Sequence, residues 1–537
     1  MIDSKTLPND ALALKEMLLE YSGVISALTE KNKHLTERNG HLTGKVEYLT
    51  EQNRLYRDRL FGRKSEKKRP DNDPNQPSLF DELEETCKEE PESPEEKTVV
   101  KGHTRTRGKR APLPENLPRR DMVHDLSEEE KRCACGHTME KIGEEVSEKL
   151  HIIPATVEVE RHIRYKYACK HCEGTESEGI HPTVKTAPPA PAIIPKSFAT
   201  PGLLAHILTA KFDDALPFYR QEKQFARIGV ELSRTTMCRW AVQVYERVRP
   251  LLGRMLELLR SGPLLGLDET TVQVHGEHGR EDTSTSYMWV ARGGPPGKTI
   301  LWFRYDPGRS GRVAEEIVGG YRGNVQTDGY AGYNFLENRE GIRYAACWAH
   351  ARRKFDEAAR GAKKSVSSKM ALDMIGKLYR IEKEAGGLDA DARLALRQEI
   401  SRPIAEEFFL WLEKKTLEVN PASLMGKAIA YSFKLKVRLL QFLEDGNIPL
   451  DNNLVENAIR PFVVGRKNWL FSGSPDGAEA SAGLYSLVET AKAADLDPYW
   501  CLRYIFEKLP IAGEEGLEAL LPCNITRDML YHHFIQG

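Results

Sequence analysis

No stretch of about 18 consecutive apolar residues occurs in this 537-residue chain, which argues against an ordinary membrane-spanning helix. The N-terminus, MIDSKTLPND, lacks the basic-then-apolar order of a secretory leader, so a cytoplasmic protein is expected. No phosphate loop of the form GxxxxGKS/T is present, and ATP-driven chemistry is therefore not indicated. Net charge is missing too: the formal balance is -1, so whole-chain charge names no partner. Cysteine is sparse, nine in all, which does not suit a disulfide scaffold; four of the nine nevertheless fall in two close pairs, which points to metal. A chain this long exceeds a single core and divides into several domains.

What is present begins with a helical segment, residues 10–65, in which Leu28, Leu35, Leu42 and Leu49 recur every seven positions. Ile25, Val46 and Leu60 fall on the companion seam with Asn32, Asn39 and Asn53, a pattern that predicts a leucine-zipper coiled coil and a homo-oligomer. The competing reading is a lone amphipathic helix packed on its own protein, with Gly40 and Gly44 each weakening it by about 1 kcal/mol. Residues 66–120 read as a disordered charged linker: nine acids against one lysine lie between Asp81 and Glu96, and basic residues follow from Lys101 to Arg120.

Residues 121–185 carry Cys133 and Cys135, then Cys169 and Cys172, around a segment that alternates like two strands. Two thiolate pairs bracketing a hairpin predict a structural zinc site of ribbon type, although the one-residue gap of the first pair is tight and His137 or His171 are alternative ligands. Residues 195–261 predict a helical, helix-turn-helix-like DNA-binding block. Gly229 serves there as the turn and Ser233 as the N-cap of a helix bearing Arg234, Thr235, Thr236 and Arg239. An ordinary helical hairpin is the alternative.

The stretch PLLGLDET ends an apolar run in Asp268, which is read as the tip of a strand. Three strand-like segments, a helix, and a second apolar strand ending in Asp328 come next, then another strand. That order predicts a ribonuclease-H-like α/β domain over 262–350 and 446–490, in which the first and fourth strands lie side by side and bring Asp268 to Asp328. Two adjacent carboxylates repel unless a cation separates them, and magnesium, which prefers oxygen ligands, is the expected occupant. Glu456, on a helix that Pro461 ends or kinks, is the third acid of a two-ion site; Asp451 is the competitor, better suited as a cap or turn residue before that helix. Residues 351–445 read as an α-helical insertion and 491–537 as a C-terminal helical region. Arg352, Arg353, Lys354, Arg460, Arg466 and Lys467 are candidate phosphate contacts or solvated charges, and His350 reads as structural.

The chain resembles the DDE-type transposases of the insertion sequence 66 family. The resemblance rests on RLFGRKSEK, RAPLPENLPRRDMVHDLSEEEKRCACG, GEEVSEKLHIIPATVEVERHIRYKYACKHC, DET, TDGYAGY, CWAHARRKF, NNLVENAIRP and FSGSPDGAEASAGLYSLVETAK, and runs nearly the whole length. It implies a transposase that binds the terminal inverted repeats of its element, cleaves there, and joins the 3′-hydroxyl to target DNA by two-metal phosphoryl transfer. By motif, the triad falls on Asp268, Asp328 and Glu456. Partners would be element and target DNA, and accessory proteins of the same element. A catalytically inactive DNA-binding regulator and a nuclease that cuts without joining are the alternatives.

Overall fold

The computed structural model describes residues 10–61, 157–168, 184–361 and 366–536. The chain separates into two compact units, one formed by Phe80–Pro189 and the other by Met1–Leu79 with Ala190–Gly537. In the larger unit α1 (Ala11–Phe61) is one unbroken helix. Its Leu28, Leu35, Leu42 and Leu49, with Ile25 and Val46, form an exposed apolar stripe. The opposite side packs on helices of the expected insertion. There Leu55 is buried, Glu51 accepts the amide of Leu424 at 2.7 Å, and the Lys427 Nζ stands 3.1 Å from the Tyr48 ring centroid. The helix therefore presents two apolar faces, one used and one open.

Three helices precede the sheet: α2 (Pro201–Phe212), α3 (Phe218–Arg227) and α4 (Arg234–Leu259). Gly229 makes the turn between α3 and α4 with a φ of 80°, a left-handed value that costs glycine little. Ser233 caps α4 by accepting the Thr236 amide at 3.2 Å. Phe225, Met237, Trp240, Val244 and Val248 bury their side chains in the same hydrophobic core as the sheet. Because the apolar face of α4 continues from Met237 to Leu259, residues 195–261 are not a separately packed body.

The sheet has five strands: β1 (Leu264–Gln273), β2 (Thr285–Gly293), β3 (Ile300–Asp306), β4 (Gly323–Thr327) and β5 (Ile342–Ala346). Their order is β3-β2-β1-β4-β5. Short connections make β1, β2 and β3 antiparallel, whereas β4 runs parallel to β1 and β5 parallel to β4. A crossover through α5 (Gly311–Val318) joins β3 to β4, and Val313, Ala314, Ile317 and Val318 bury its inner face. The expected adjacency of the first and fourth strands is found.

After β5 come α6 (Trp348–Gly361), α7 (Val366–Glu384), α8 (Arg402–Thr416) and α9 (Leu424–Lys434). They close a second core around Trp348, Phe355, Phe408, Phe409 and Phe442. Inside it Arg397 is fully buried, paired with Glu382 at 2.6 Å and donating to the carbonyls of Phe442, Asp445 and Ile448. One guanidinium thus fixes the chain that returns to the sheet.

The return is α10 (Asn453–Trp469), followed by α11 (Pro475–Ala493) and α12 (Pro498–Lys508). Pro461 does not end α10, which runs on to Trp469; proline removes one backbone donor, but packing of Val455, Ala458, Ile459 and Phe462 holds the helix together. Along the outer edge of the sheet, α11 supplies what a further strand would. Ser486 accepts the Phe303 amide at 2.8 Å, and Thr490 accepts that of Leu301 at 3.0 Å. The edge is closed to pairing with another chain. Among the described residues no helix is long and apolar enough to cross a membrane.

In the smaller unit, Lys166–Ala168 pairs antiparallel with Val184–Thr186. Cys133, Cys135, Cys169 and Cys172 lie outside the described residues, as do His137 and His171.

Candidate active site

The apolar run of PLLGLDET forms the start of β1, but Asp268 is not at its tip. The strand continues to Gln273 because Thr270–Gln273 keep pairing with β2. What ends near Asp268 is the parallel ladder to β4, whose last pair is Gly266 with Gln326. Two residues further along stand Asp268, still within β1, and Asp328, just past the end of β4, so the register itself sets the two acids against one another. Both are half-buried. Each ties one oxygen to the backbone: Asp268 Oδ1 accepts the Glu269 amide at 2.9 Å, and Asp328 Oδ1 accepts that of Tyr330 at 2.8 Å. Their Oδ2 atoms take no hydrogen bond among the described residues, which leaves them open to a ligand.

Glu456 arrives from the opposite direction, on the first turn of α10. Three contacts clip that turn to the sheet. The side-chain amide of Asn452 donates to the Leu267 carbonyl at 3.1 Å, and Gln326 donates to the Pro449 carbonyl at 2.7 Å. Val455 packs directly on Gly266, where an added Cβ would lie 2.3 Å from its Cγ2. Glycine is needed there for close approach, and the neighbouring Glu456 is thereby brought over Asp268. Asp451 accepts the backbone amide and the side-chain amide of Asn453 at 3.1 and 2.9 Å, the turn-forming behaviour expected of it.

Electrostatics records the convergence. Burial pushes the Asp268 carboxyl well above the ordinary carboxylate range, and the charges of Glu269, Asp328 and Glu456 push it further. The second acid of DET serves another purpose. The Glu269 side chain is buried, takes a hydrogen bond from Arg309 Nε at 2.7 Å, and accepts another from the Tyr333 hydroxyl. Arg309 in turn stacks 3.8 Å from the Tyr330 ring centroid, closing the wall beside Asp328.

The far side of Glu456 faces His350 and Arg353 on α6. His350 Nδ1 stands 3.6 Å from Oε1, and Arg353 Nη2 stands 3.7 Å from Oε2. Burial lowers the His350 value and favours its neutral form. Cys347, buried just before α6, accepts the Asn452 amide at 3.2 Å and lies within 4.8 Å of the His350 and Glu456 ligand atoms. Burial raises its thiol above the ordinary cysteine range. The donor set fits divalent cations on two counts: three acids crowd one another with only Arg353, beside Glu456 Oε2, to offset them, and Glu456 Oε1 is buried without a hydrogen-bond partner among the described residues. Asp268, Asp328 and Glu456 would hold them.

The basic residues divide. Arg234 and Arg239 are exposed on α4, and Lys467 is exposed on α10. Arg353 lies beside Glu456, and half-buried Arg460 is one turn after it on α10. Arg466 spends Nη1 on the hydroxyl of Thr271 at 3.1 Å, bracing α10 against β1. Sequence reasoning missed Gly266 and Asn452, whose roles exist only once α10 lies on β1. It also gave His350 no part in the site; its position directly after β5, beside Cys347, was the available signal.

Residues 196–480 match the family described as transposase IS66, and residues 130–173 match the zinc-finger binding domain of transposase IS66. Residues 48–122 match a segment described as transposase C of IS166 homeodomain, and residues 486–523 an IS66 C-terminal element. Among curated relatives, the uncharacterized protein y4jD of Sinorhizobium fredii is 34% identical over 439 residues, covering 78% of this chain and 82% of the relative. The uncharacterized protein y4qI of the same organism is 33% identical over 439 residues, 79% of each chain.

Proposed function

The chain belongs to the transposase IS66 family, and from that premise we propose that it cleaves DNA at the ends of its own element and joins the freed 3′-hydroxyl to target DNA. The observation that carries this reading is the convergence of Asp268, Asp328 and Glu456 from two adjacent parallel strands and a helix clipped over them. The strand order β3-β2-β1-β4-β5 supports a ribonuclease-H-like core for that site.

Two divalent ions, magnesium by expectation, would supply the Lewis acidity that activates a hydroxyl nucleophile and stabilises the leaving 3′-oxygen. The protein's own part is positioning. Asp268 and Asp328 offer their free Oδ2 atoms from a rigid ladder, and Asn452 with Val455 holds Glu456 at the matching height. Arg353 and Arg460 lie where phosphate oxygens would need counter-charge, and Arg234, Arg239 and Lys467 offer further basic contacts for the duplex. The α3–α4 pair is the proposed helix-turn-helix reader of the inverted repeats. Cys133, Cys135, Cys169 and Cys172 are the proposed ligands of the structural zinc in the zinc-finger segment. The exposed stripe on α1 supports a homodimeric coiled coil, which would present two catalytic units to two element ends. This work on chromosomal DNA is assigned to the cytoplasm.

A strand-transfer assay with element-end DNA and a divalent ion tests the reading. Joined products are expected from the intact protein and none from Asp268→Asn. Cleavage without joining would make the protein a nuclease, and end binding without cleavage would make it a regulator.

A further inference from the structure

His350 and Glu456 meet in a way that neither a hydrogen bond nor a water explains. Nδ1 and Oε1 are both buried, neither has a hydrogen-bond partner among the described residues, and they face each other across 3.6 Å. That gap is too long for a hydrogen bond, which closes at about 3.2 Å. It is too short for a bridging water, whose two partners stand roughly 4.5 Å apart. It matches two ligands of one cation, since bonds of about 2.1 Å meeting at 90–120° leave their outer atoms about 3.0–3.6 Å apart. We propose that His350 Nδ1 is a ligand of the divalent ion held by Glu456, making that position a mixed oxygen–nitrogen site of the manganese class rather than an all-oxygen magnesium site. The inference rests on the three-acid reading above and adds a fourth protein ligand to it.

The local fold prepares both groups for this. His350 lies on the first turn of α6 and Glu456 on the first turn of α10. Cys347 joins the two turns through its sulfur, which takes the amides of Asn452 and His350. It thereby fixes the separation of the imidazole and the carboxylate. Imidazole nitrogen ligands favour transition ions over magnesium, which prefers oxygen throughout.

The test uses the full-length, zinc-loaded protein and inorganic Mn2+, read by pulsed electron paramagnetic resonance and by binding titration. The bound ion in the unaltered protein is expected to show nitrogen modulation. His350→Gln should abolish the modulation and weaken Mn2+ binding about tenfold or more, while Mg2+ binding changes by less than about threefold. Bound Mn2+ without nitrogen modulation in the unaltered protein overturns this inference and leaves the three-acid site standing. Modulation that survives His350→Gln overturns it equally. If Mn2+ does not bind at all, or binds as well after Asp268→Asn, the three-acid reading falls and this one with it.

Discussion

The side-chain amide of Asn452 donates to the carbonyl of Leu267 across 3.1 Å, joining the residue before a helix to the residue before Asp268. The two positions are 185 apart in sequence. Through this one bond the return from the helical insertion is locked to the strand that carries Asp268, and Glu456, four residues beyond Asn452, follows.

Gly266→Ala tests the packing half of that lock. The new Cβ meets Val455 Cγ2 at 2.3 Å and Asn452 Oδ1 at 3.2 Å, so α10 must lift. We expect a stability loss of about 1–3 kcal/mol, typical of overpacking. Cleavage should fall roughly 100-fold, as for a displacement of about 1 Å at a positioned group. End binding measured by gel shift should hold; unchanged cleavage would separate Glu456 from the chemistry.

Asp268→Asn removes a carboxyl that the folded chain holds above its ordinary range, through burial and the charges of Glu269, Asp328 and Glu456. A raised value in the folded state means that protonation favours folding. In the metal-free protein the stabilising contribution of this one carboxyl should therefore be fully present below the ordinary aspartate value of about 3.9 and be lost as pH rises through the folded value. Near neutrality the variant should melt higher than the metal-free parent, by about 1 kcal/mol in stability. Added divalent ion should raise the parent's melting temperature far more than the variant's. Calorimetry across pH with and without the ion checks both signs.

Arg397→Met strips a fully buried guanidinium from Glu382 and from three backbone carbonyls. Leaving a buried ionic partner alone costs about 3–5 kcal/mol. Amide exchange should accelerate over residues 442–452, and cleavage should drop with it. Protection unchanged in that segment would mean that Arg397 does not hold the return.

Two opposed faces of α1 give opposite outcomes. Leu28→Lys with Leu35→Lys on the exposed stripe should yield monomers in sedimentation. Tyr48→Ala with Glu51→Ala removes contacts to Lys427 and Leu424 and should leave the oligomer intact while loosening α9. Monomers from the second pair would assign self-association to the other face.

Replacing Arg234 and Arg239 by alanine should weaken binding of element ends and lower the slope of log affinity against log salt by about 2, if both meet phosphates. Cleavage chemistry on bound ends should persist. An unaltered slope would return α4 to a purely structural role.

Local pattern carried much of this. The seven-residue leucine spacing, Ser233 as cap, Gly229 as turn, and the alternation of apolar strands are properties of neighbours in sequence, and each appears where its chemistry placed it. The two aspartates were legible because the order of strands and helices restricts which strands can be adjacent. Local reading failed at Pro461, where packing outweighed the loss of one hydrogen bond, and at the end of β1, where pairing with β2 carried the strand past Asp268. It also treated the helices of 195–261 as a body of their own, although their apolar faces complete the core of the sheet.

By itself, then, the sequence determined the family and the strand order that sets Asp268 beside Asp328, since motif and periodicity are written along the chain. Only the tertiary structure decided that Gly266 must be small, that Asn452 holds α10, that Glu269 pairs with Arg309, and that His350 faces Glu456. Those relations join residues from 40 to 189 positions apart, and nothing in a linear pattern encodes the distance between two surfaces until they are packed.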